Sequence, residues 1–395
     1  MVTNALKAIL IIAASNGVAF ASNTPLVFRL AYAITALVLV CFFWSWRNIA
    51  ALEIQRQPME LRTQVGETVR EAFQLKNRSL LPNLCAEIYD HSSLPHHKAS
   101  LALPLSPNST KQWEVSTICQ KRGKFKLGPY SIVTTDPLGI FRWRKFFDRT
   151  WTVLVYPPTY DLPHFHLSTG ELAGGQSSRR RTYFTTPRAS GIREYVPSDS
   201  LNRIHWPSTA KMLRLMSKEF ELDPAADVWI MLDLQREVQA GSGLESTVEY
   251  GVAAAASLAK HLLDKHWTVG LIASTAHRTV VHSDRGAQQL LRMLEELSVV
   301  RAEGELPLAE VLISESRRFG RNTTLIVISP SREESWISAL KDLAARGVEA
   351  IAVVVEGRSF GHAPSSAAFI DSLVATDIPK FVLKRGDNIG EVLRL

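Results

Sequence analysis

Asp227-Val228-Trp229-Ile230-Met231-Leu232-Asp233 holds five consecutive apolar residues between two carboxylates. A short apolar run without alternation is the pattern of a strand covered on both faces, as in a parallel sheet between helix layers. The downstream sequence supports that reading. A helix is predicted over 244–263, with the run Ala253-Ala254-Ala255-Ala256 on its buried face, followed by a strand over 269–273. Helical patterns at 287–297 and 308–318 precede a strand over 324–328. Helix 334–346, strand 348–355, helix 365–374 and strand 380–383 complete the alternation. Strands alternating with helices predict a mainly parallel, doubly wound α/β domain over 225–395. The crevice of such a sheet lies at the carboxyl ends of its strands, which makes Asp233 a candidate site residue.

The front of the chain is different. The chain has 395 residues, too many for one compact core; 46% are hydrophobic and 21% charged, and the net charge is +7. Cys41, Cys85 and Cys119 have neither disulfide nor metal spacing. Apolar runs at 5–21 and 26–46 are separated by Ser22-Asn23-Thr24-Pro25, and the second meets the roughly 20 residues a bilayer-crossing helix needs. Phe42, Phe43, Trp44 and Trp46 form an interfacial aromatic belt, followed by Arg47, Arg56 and Arg62; Lys7 precedes the first run. Residues 1–47 therefore read as a transmembrane helical hairpin in the inner (plasma) membrane, with both termini and the globular domains cytoplasmic. Arg29 near the outer turn is accommodated by snorkelling. A cleaved signal peptide ending at Ala19-Phe20-Ala21 is the rival, but the second run would still anchor the chain.

Residues 48–166 carry short alternating runs punctuated by Pro, Gly, Asn and Ser, the pattern of an all-β sandwich. His164-x-His166 is expected to end it on an alternating strand. Residues 167–224 join the two globular parts. Their first portion is Gly/Ser-rich and holds the basic triplet Arg179-Arg180-Arg181, which reads as a solvated connector.

The rest of that connector reads Ser190-Gly191-Ile192-Arg193-Glu194-Tyr195-Val196-Pro197-Ser198-Asp199-Ser200-Leu201-Asn202-Arg203-Ile204-His205-Trp206. It resembles the signature G-x-R-x-Y-x-x-G-D-x-x-R-x-I-H-W of the bacterial domain of unknown function 58 family. The match falls on Gly191, Arg193, Tyr195, Asp199, Arg203, Ile204, His205 and Trp206; Ser198 replaces the usual Gly, and Pro207 stands where Lys is common. Lys121-Arg122-Gly123-Lys124-Phe125-Lys126-Leu127-Gly128-Pro129 and Asp136-Pro137-Leu138-Gly139-Ile140-Phe141 are similar to two further family segments, and read by themselves as tight turns. The resemblance implies that the α/β domain is von Willebrand factor A-like (Rossmann-like). It also implies partners: a MoxR-type AAA+ ATPase and a transglutaminase-like membrane protein.

The chemistry on offer is sparse. A metal-binding von Willebrand A domain carries Asp-x-Ser-x-Ser where this chain reads Asp233-Leu234-Gln235-Arg236-Glu237, so no metal is expected. His205 and Asp199 are acid–base types, and Ser198, Ser200 and Ser208 add hydroxyls, yet no nucleophile elbow, zinc set or phosphate-binding loop is present. Arg193, Tyr195, Asp199, Arg203, His205 and Trp206 read instead as an interaction or domain-junction set, with Asp199 capping a short helix and His205-Trp206 half-buried. The expectation is a membrane-anchored, non-enzymatic adaptor without catalytic residues or cofactor. The alternatives are a hydrolytic or metal-dependent enzyme using Asp199 and His205 or Asp233, and a binder of anionic lipid or nucleic acid through Arg179-Arg180-Arg181. Nucleic acid is the weaker partner, because no aromatic interleaving accompanies the triplet.

Overall fold

The computed structural model describes residues 2–167, 189–196, 204–220 and 227–394, apart from 277, 322, 362, 363, 365 and 377. The chain is multidomain and divides into two units, Met1–Pro158 with Leu297–Val299, and Thr159–Glu296 with Val300–Leu395.

The first unit opens with helices α1 (Val2–Ser22) and α2 (Pro25–Ala51). Pro25 sits in the first turn of α2, where its missing N–H costs no hydrogen bond. The two helices pack together, with the Phe20 and Phe28 rings 5.4 Å apart. Among the described residues α2 is long and apolar enough to cross a bilayer, and α1 contains the shorter apolar helix Leu6–Ser22. The helix α2 does not stop with the apolar run at Trp46. Val38, Cys41, Ser45, Asn48 and Ile49 form one buried stripe at helical spacing. That stripe lies on a β-rich body: the Trp143 indole N–H donates to Ser45 Oγ at 3.0 Å and the Asn48 amide to the Pro82 carbonyl at 3.3 Å.

The β-rich body comprises β1 (Leu52–Pro58), β2 (Arg62–Gln64), β3 (Thr68–Asn77), β4 (Asn83–Asp90), β5 (Leu101–Leu105), β6 (Thr110–Ile118), β7 (Gly123–Leu127), β8 (Tyr130–Thr135), β9 (Arg142–Phe147) and β10 (Trp151–Tyr156). The antiparallel sheets β1-β3-β6 and β5-β4-β8-β9 contribute to one core that includes Ile54, Phe73, Leu75, Ile88 and Ile132. A small sheet, β2-β10-β7, has its own core around Leu127, Val153 and Val155. A charged cluster is buried in this body. Arg56 donates to Glu71 at 2.5 Å and to Asp90 at 2.7 Å, and His97 Nε2 lies 3.1 Å from Asp90. Phe73 stacks under the Arg56 guanidinium, 5.0 Å away.

The second unit takes over at Thr159. Residues 164–166 form no strand of the β body. Phe165 is buried instead against His261 and Phe381, since an apolar ring gains more in that core than on a short exposed strand. A two-stranded antiparallel ribbon, β11 (Ala189–Glu194) with β12 (Met216–Phe220), flanks the short helix α3 (Trp206–Met212).

The α/β sheet follows with β13 (Asp227–Leu232), a small ribbon β14 (Gly241–Ser242) and β15 (Glu245–Ser246), α4 (Thr247–Asp264), β16 (Thr268–Ala273) and β17 (Thr279–Asp284). Next come α5 (Ala287–Val299), α6 (Leu308–Glu315), β18 (Thr323–Ser329), α7 (Glu334–Ala345), β19 (Glu349–Val355), α8 (Gly357–Phe360), α9 (Ala367–Val374), β20 (Lys380–Leu383) and α10 (Ile389–Val392). The sheet order is β17-β16-β13-β18-β19-β20. All neighbours are parallel except β17, which closes one edge antiparallel to β16. Strands β13, β16 and β18 are buried almost throughout, as their continuous apolar runs require. Helix α4 starts after Ser246, whose hydroxyl caps the Glu249 N–H, and lays its alanine run against the sheet.

Candidate functional site

Two places collect the residues the sequence singles out. The first is the crevice beside β13, where the sheet order reverses between β13 and β18. Asp233 follows β13 there and is only 2% exposed. Its Oδ2 accepts from the Ser329 hydroxyl at 2.6 Å; its Oδ1 accepts from the Gln235 N–H at 3.0 Å and the Ser274 hydroxyl at 3.4 Å. Ser274 Oγ also accepts from the Leu234 N–H at 2.8 Å. Gly304 closes the loop by bonding the Leu234 carbonyl, and a Cβ there would meet the Ser274 carbonyl at 2.1 Å, so only glycine fits. Burial pushes the Asp233 carboxyl above the ordinary carboxylate range, against the pull of the Ser329, Gln235 and Ser274 hydrogen bonds.

The hydroxyls missing from the local sequence after Asp233 are thus supplied by other strands. Ser274 and Ser329 stand at the ends of β16 and β18, and their signal is a serine directly after, or closing, a buried apolar run. This set does not fit a divalent cation. It offers one carboxylate, with both oxygens already accepting protein hydrogens, and the described residues contain no group of three His, Cys, Asp or Glu able to hold a metal. Arg236 and Glu237 are exposed and turned into a short 3-10 helix, Arg236–Val238.

The second place is the signature segment. Arg193 lies in β11, paired in register with Ser217, and Tyr195 is half-buried with its N–H on the Leu215 carbonyl at 2.9 Å. Ile204 bridges to Ser217. Ser198, Asp199, Ser200 and Arg203, like the triplet Arg179-Arg180-Arg181, lie outside the described residues. Helix α3 is capped by His205, whose Nδ1 accepts from the Ser208 N–H at 3.3 Å and lies 2.8 Å from the Ser208 hydroxyl. That pairing unites an acid–base type with one of the hydroxyls the sequence offers, but its spacing is the local geometry of a cap.

Trp206 is not packed as its size suggests. It is 66% exposed, and α3 buries none of its residues. Leu213, in the left-handed conformation at the end of α3, is 93% exposed, and Ile192, Val196, Met212 and Leu215 are exposed as well. Seven residues make too short a helix to stand by propensity, so the ribbon and the His205 cap hold it. The exposed Glu194–Arg214 pair at 3.4 Å adds little to that.

Residues 191–360 match the family model described as "Protein of unknown function DUF58". The uncharacterized protein YeaD of Bacillus subtilis (strain 168) is 22% identical over 204 residues, 51% of this chain and 48% of that protein. The match therefore spans about half the length of that relative. Two solved structures give weak likenesses. The CARDB domain of PF1109 from Pyrococcus furiosus, in complex with di-metal ions, aligns with 26% of this chain and 91% of its own at 10% identity and a TM-score of 0.20. The β-glucosidase of Listeria innocua aligns with 26% of this chain and 16% of its own at 13% identity and a TM-score of 0.18. Scores at that level assign neither a fold nor an activity.

Proposed function

We propose that this chain is a membrane-anchored, non-enzymatic adaptor that presents its signature segment to a partner protein, a MoxR-type AAA+ ATPase. The observation that carries this reading is the exposed apolar set of that segment, Ile192, Val196, Trp206, Met212, Leu213 and Leu215, clustered within 24 residues of sequence. Isolated exposed apolar side chains are ordinary, but a cluster led by an exposed Trp and Leu marks a surface that a partner covers.

Three features support the rest. Helices α1 and α2 form the bilayer hairpin, with both ends and the globular units on the cytoplasmic side by the placement of Lys7 and Arg47. The sheet order with its antiparallel edge strand suits a von Willebrand A-like domain, as the family resemblance implies. Asp233, consumed by its own loop, leaves that domain as a binding scaffold without a metal centre. A transglutaminase-like membrane protein is the further partner implied by the resemblance.

Crosslinking and capture from native membranes, with and without nucleotide, test the proposal. Recovery of an AAA+ ATPase that depends on nucleotide is expected, and it should be lost with Trp206→Ala and Leu213→Ala. Capture unaffected by both substitutions overturns the assignment of the surface. The 2.8 Å His205–Ser208 pair is the one observation that favours a hydrolytic reading. If His205→Ala abolishes a hydrolytic activity while melting stays unchanged, the enzyme reading replaces the adaptor.

A further inference from the structure

We propose that the β-rich body is itself seated in the lipid, through the β8–β9 turn at Asp136–Phe141 and the β3–β4 turn at Leu80-Leu81, so that the protein holds phospholipid with more than its two helices. This rests on the reading of α2 as a bilayer span. About 20 residues at about 1.5 Å each cross the roughly 30 Å of hydrocarbon, so a span entering at Pro25 leaves near Ser45. The β8–β9 turn is packed against the helices before that point. Phe141 joins Ala8, Val38 and Cys41 in one apolar cluster, and its ring lies 5.4 Å from Phe42. Val38 and Cys41 are about 6–10 Å on the hydrocarbon side of Ser45, so the turn lies inside the bilayer boundary.

The turn is built for such a place. Backbone at hydrocarbon depth must satisfy its own polar groups. Pro137 has no N–H. Asp136, itself buried, accepts from the Leu138 N–H at 3.0 Å and the Phe141 N–H at 2.5 Å with its carboxylate, and from the Gly139 N–H at 3.0 Å with its carbonyl. The Asp136 N–H returns to the Phe141 carbonyl at 3.2 Å. Leu138, at the tip, points its side chain outward, 55% exposed.

The second contact lies one level shallower. Pro82, fixed on Asn48, brings Leu81 to a shallow cleft of about 320 Å³ lined by Val40, Phe43, Trp44, Trp46 and Arg47. Beside it Leu80 is 80% exposed. Arg47 is exposed and has no carboxylate partner among the described residues, so the cleft offers an aromatic wall to an acyl chain and a guanidinium to the phosphate above it.

The test uses the full chain with Cys41, Cys85 and Cys119 replaced by Ala, and single cysteines introduced in turn at Ile34, Leu80, Ile118 and Leu138. Each carries an environment-sensitive fluorophore, and the protein is reconstituted into vesicles of mixed zwitterionic and anionic phospholipid containing acyl-chain quenchers. Position 34 reports the span and position 118, exposed on β6, reports water. Loss of fluorescence at 80 and 138 approaching that at 34, with none at 118, is expected. If 34 is quenched while 80 or 138 behaves like 118, the β body does not enter lipid and this inference falls, although the span stands. If 34 is not quenched, α2 does not cross the bilayer and both readings fall.

Discussion

Two buried aspartates show how differently one side chain can be accommodated. Asp90 in the β body faces the Arg56 guanidinium and His97, and its carboxyl is held at about 2 despite burial, which alone would raise it; hydrogen bonds from His97 and Ser92 and the charge of Arg56 outweigh that burial. Asp233 beside β13 is bonded by two hydroxyls and an N–H with no cation, and burial, helped by the nearby Glu333 charge, pushes its carboxyl above the ordinary range. Hydrogen bonds to neutral donors solvate a carboxylate incompletely, whereas a fixed cation adds a Coulomb term that is strong where water is excluded. The lesson is one of dependence. The Asp90 cluster works only as a whole, because each charge is the solvent of the next, while Asp233 serves as a polar staple between three strand ends.

The largest effect expected from this contrast is that of Arg56→Met. It strands Glu71, wholly buried, and Asp90 without their cation, and should cost about 3–5 kcal/mol, read as a fall in the urea midpoint. A loss near zero would mean that the cluster relaxes into water. Asp233→Ala comes next, at roughly 1–3 kcal/mol, since Ser329, Ser274 and the Gln235 N–H lose their acceptor. Asp233→Asn keeps the shape and one acceptor and should stay under about 1 kcal/mol. Asparagine tolerated at 233 but not at 90 would sharpen the comparison; the reverse would break it.

The pH dependence should run in opposite senses. The folded-state value of Asp90 is depressed, so its stabilisation is present above the ordinary carboxylate range and is lost as pH falls through about 2. The folded-state value of Asp233 is raised, so its contribution is greatest in acid and declines as pH climbs from the ordinary range through the folded value. Melting curves of the parent against Asp90→Asn should converge toward acid. Those of the parent against Asp233→Asn should move in favour of Asn as pH rises. The smallest effect on stability belongs to Trp206→Ala and Leu213→Ala, within about 0.5 kcal/mol because neither side chain is packed. Calorimetry reads that directly, and a larger loss would mean the signature segment is buried rather than presented.

Legibility in the sequence followed burial. The runs at Val228–Leu232, 324–328 and 348–355 are apolar on both faces, and only a strand between helix layers needs that pattern. Strand β17, Thr-Val-Val-His-Ser-Asp, is half-exposed and mixed, so no period announces it. The ribbon β11–β12 mixes small, charged and apolar residues without alternation, Ala-Ser-Gly-Ile-Arg-Glu against Met-Ser-Lys-Glu-Phe, and His164-x-His166 imitated an alternation that Phe165 does not use. Trp206 misled by size, since an indole suits a core and an interface equally well.

By itself the sequence determined the apolar N-terminal segments, the β-rich body and the alternating α/β pattern, because each is a local periodicity set by which faces must leave water. The tertiary structure alone decided who meets whom. Asp233 finds Ser274 and Ser329 from strands 41 and 96 residues away, Asp136 ties the N–H groups of Leu138, Gly139 and Phe141 into one turn, and Arg56 gathers Glu71, Asp90 and His97. These polar groups carry no period of their own. Their partners are chosen by the register of strands that the apolar faces have already paired, and by the high cost of leaving any one of them buried alone.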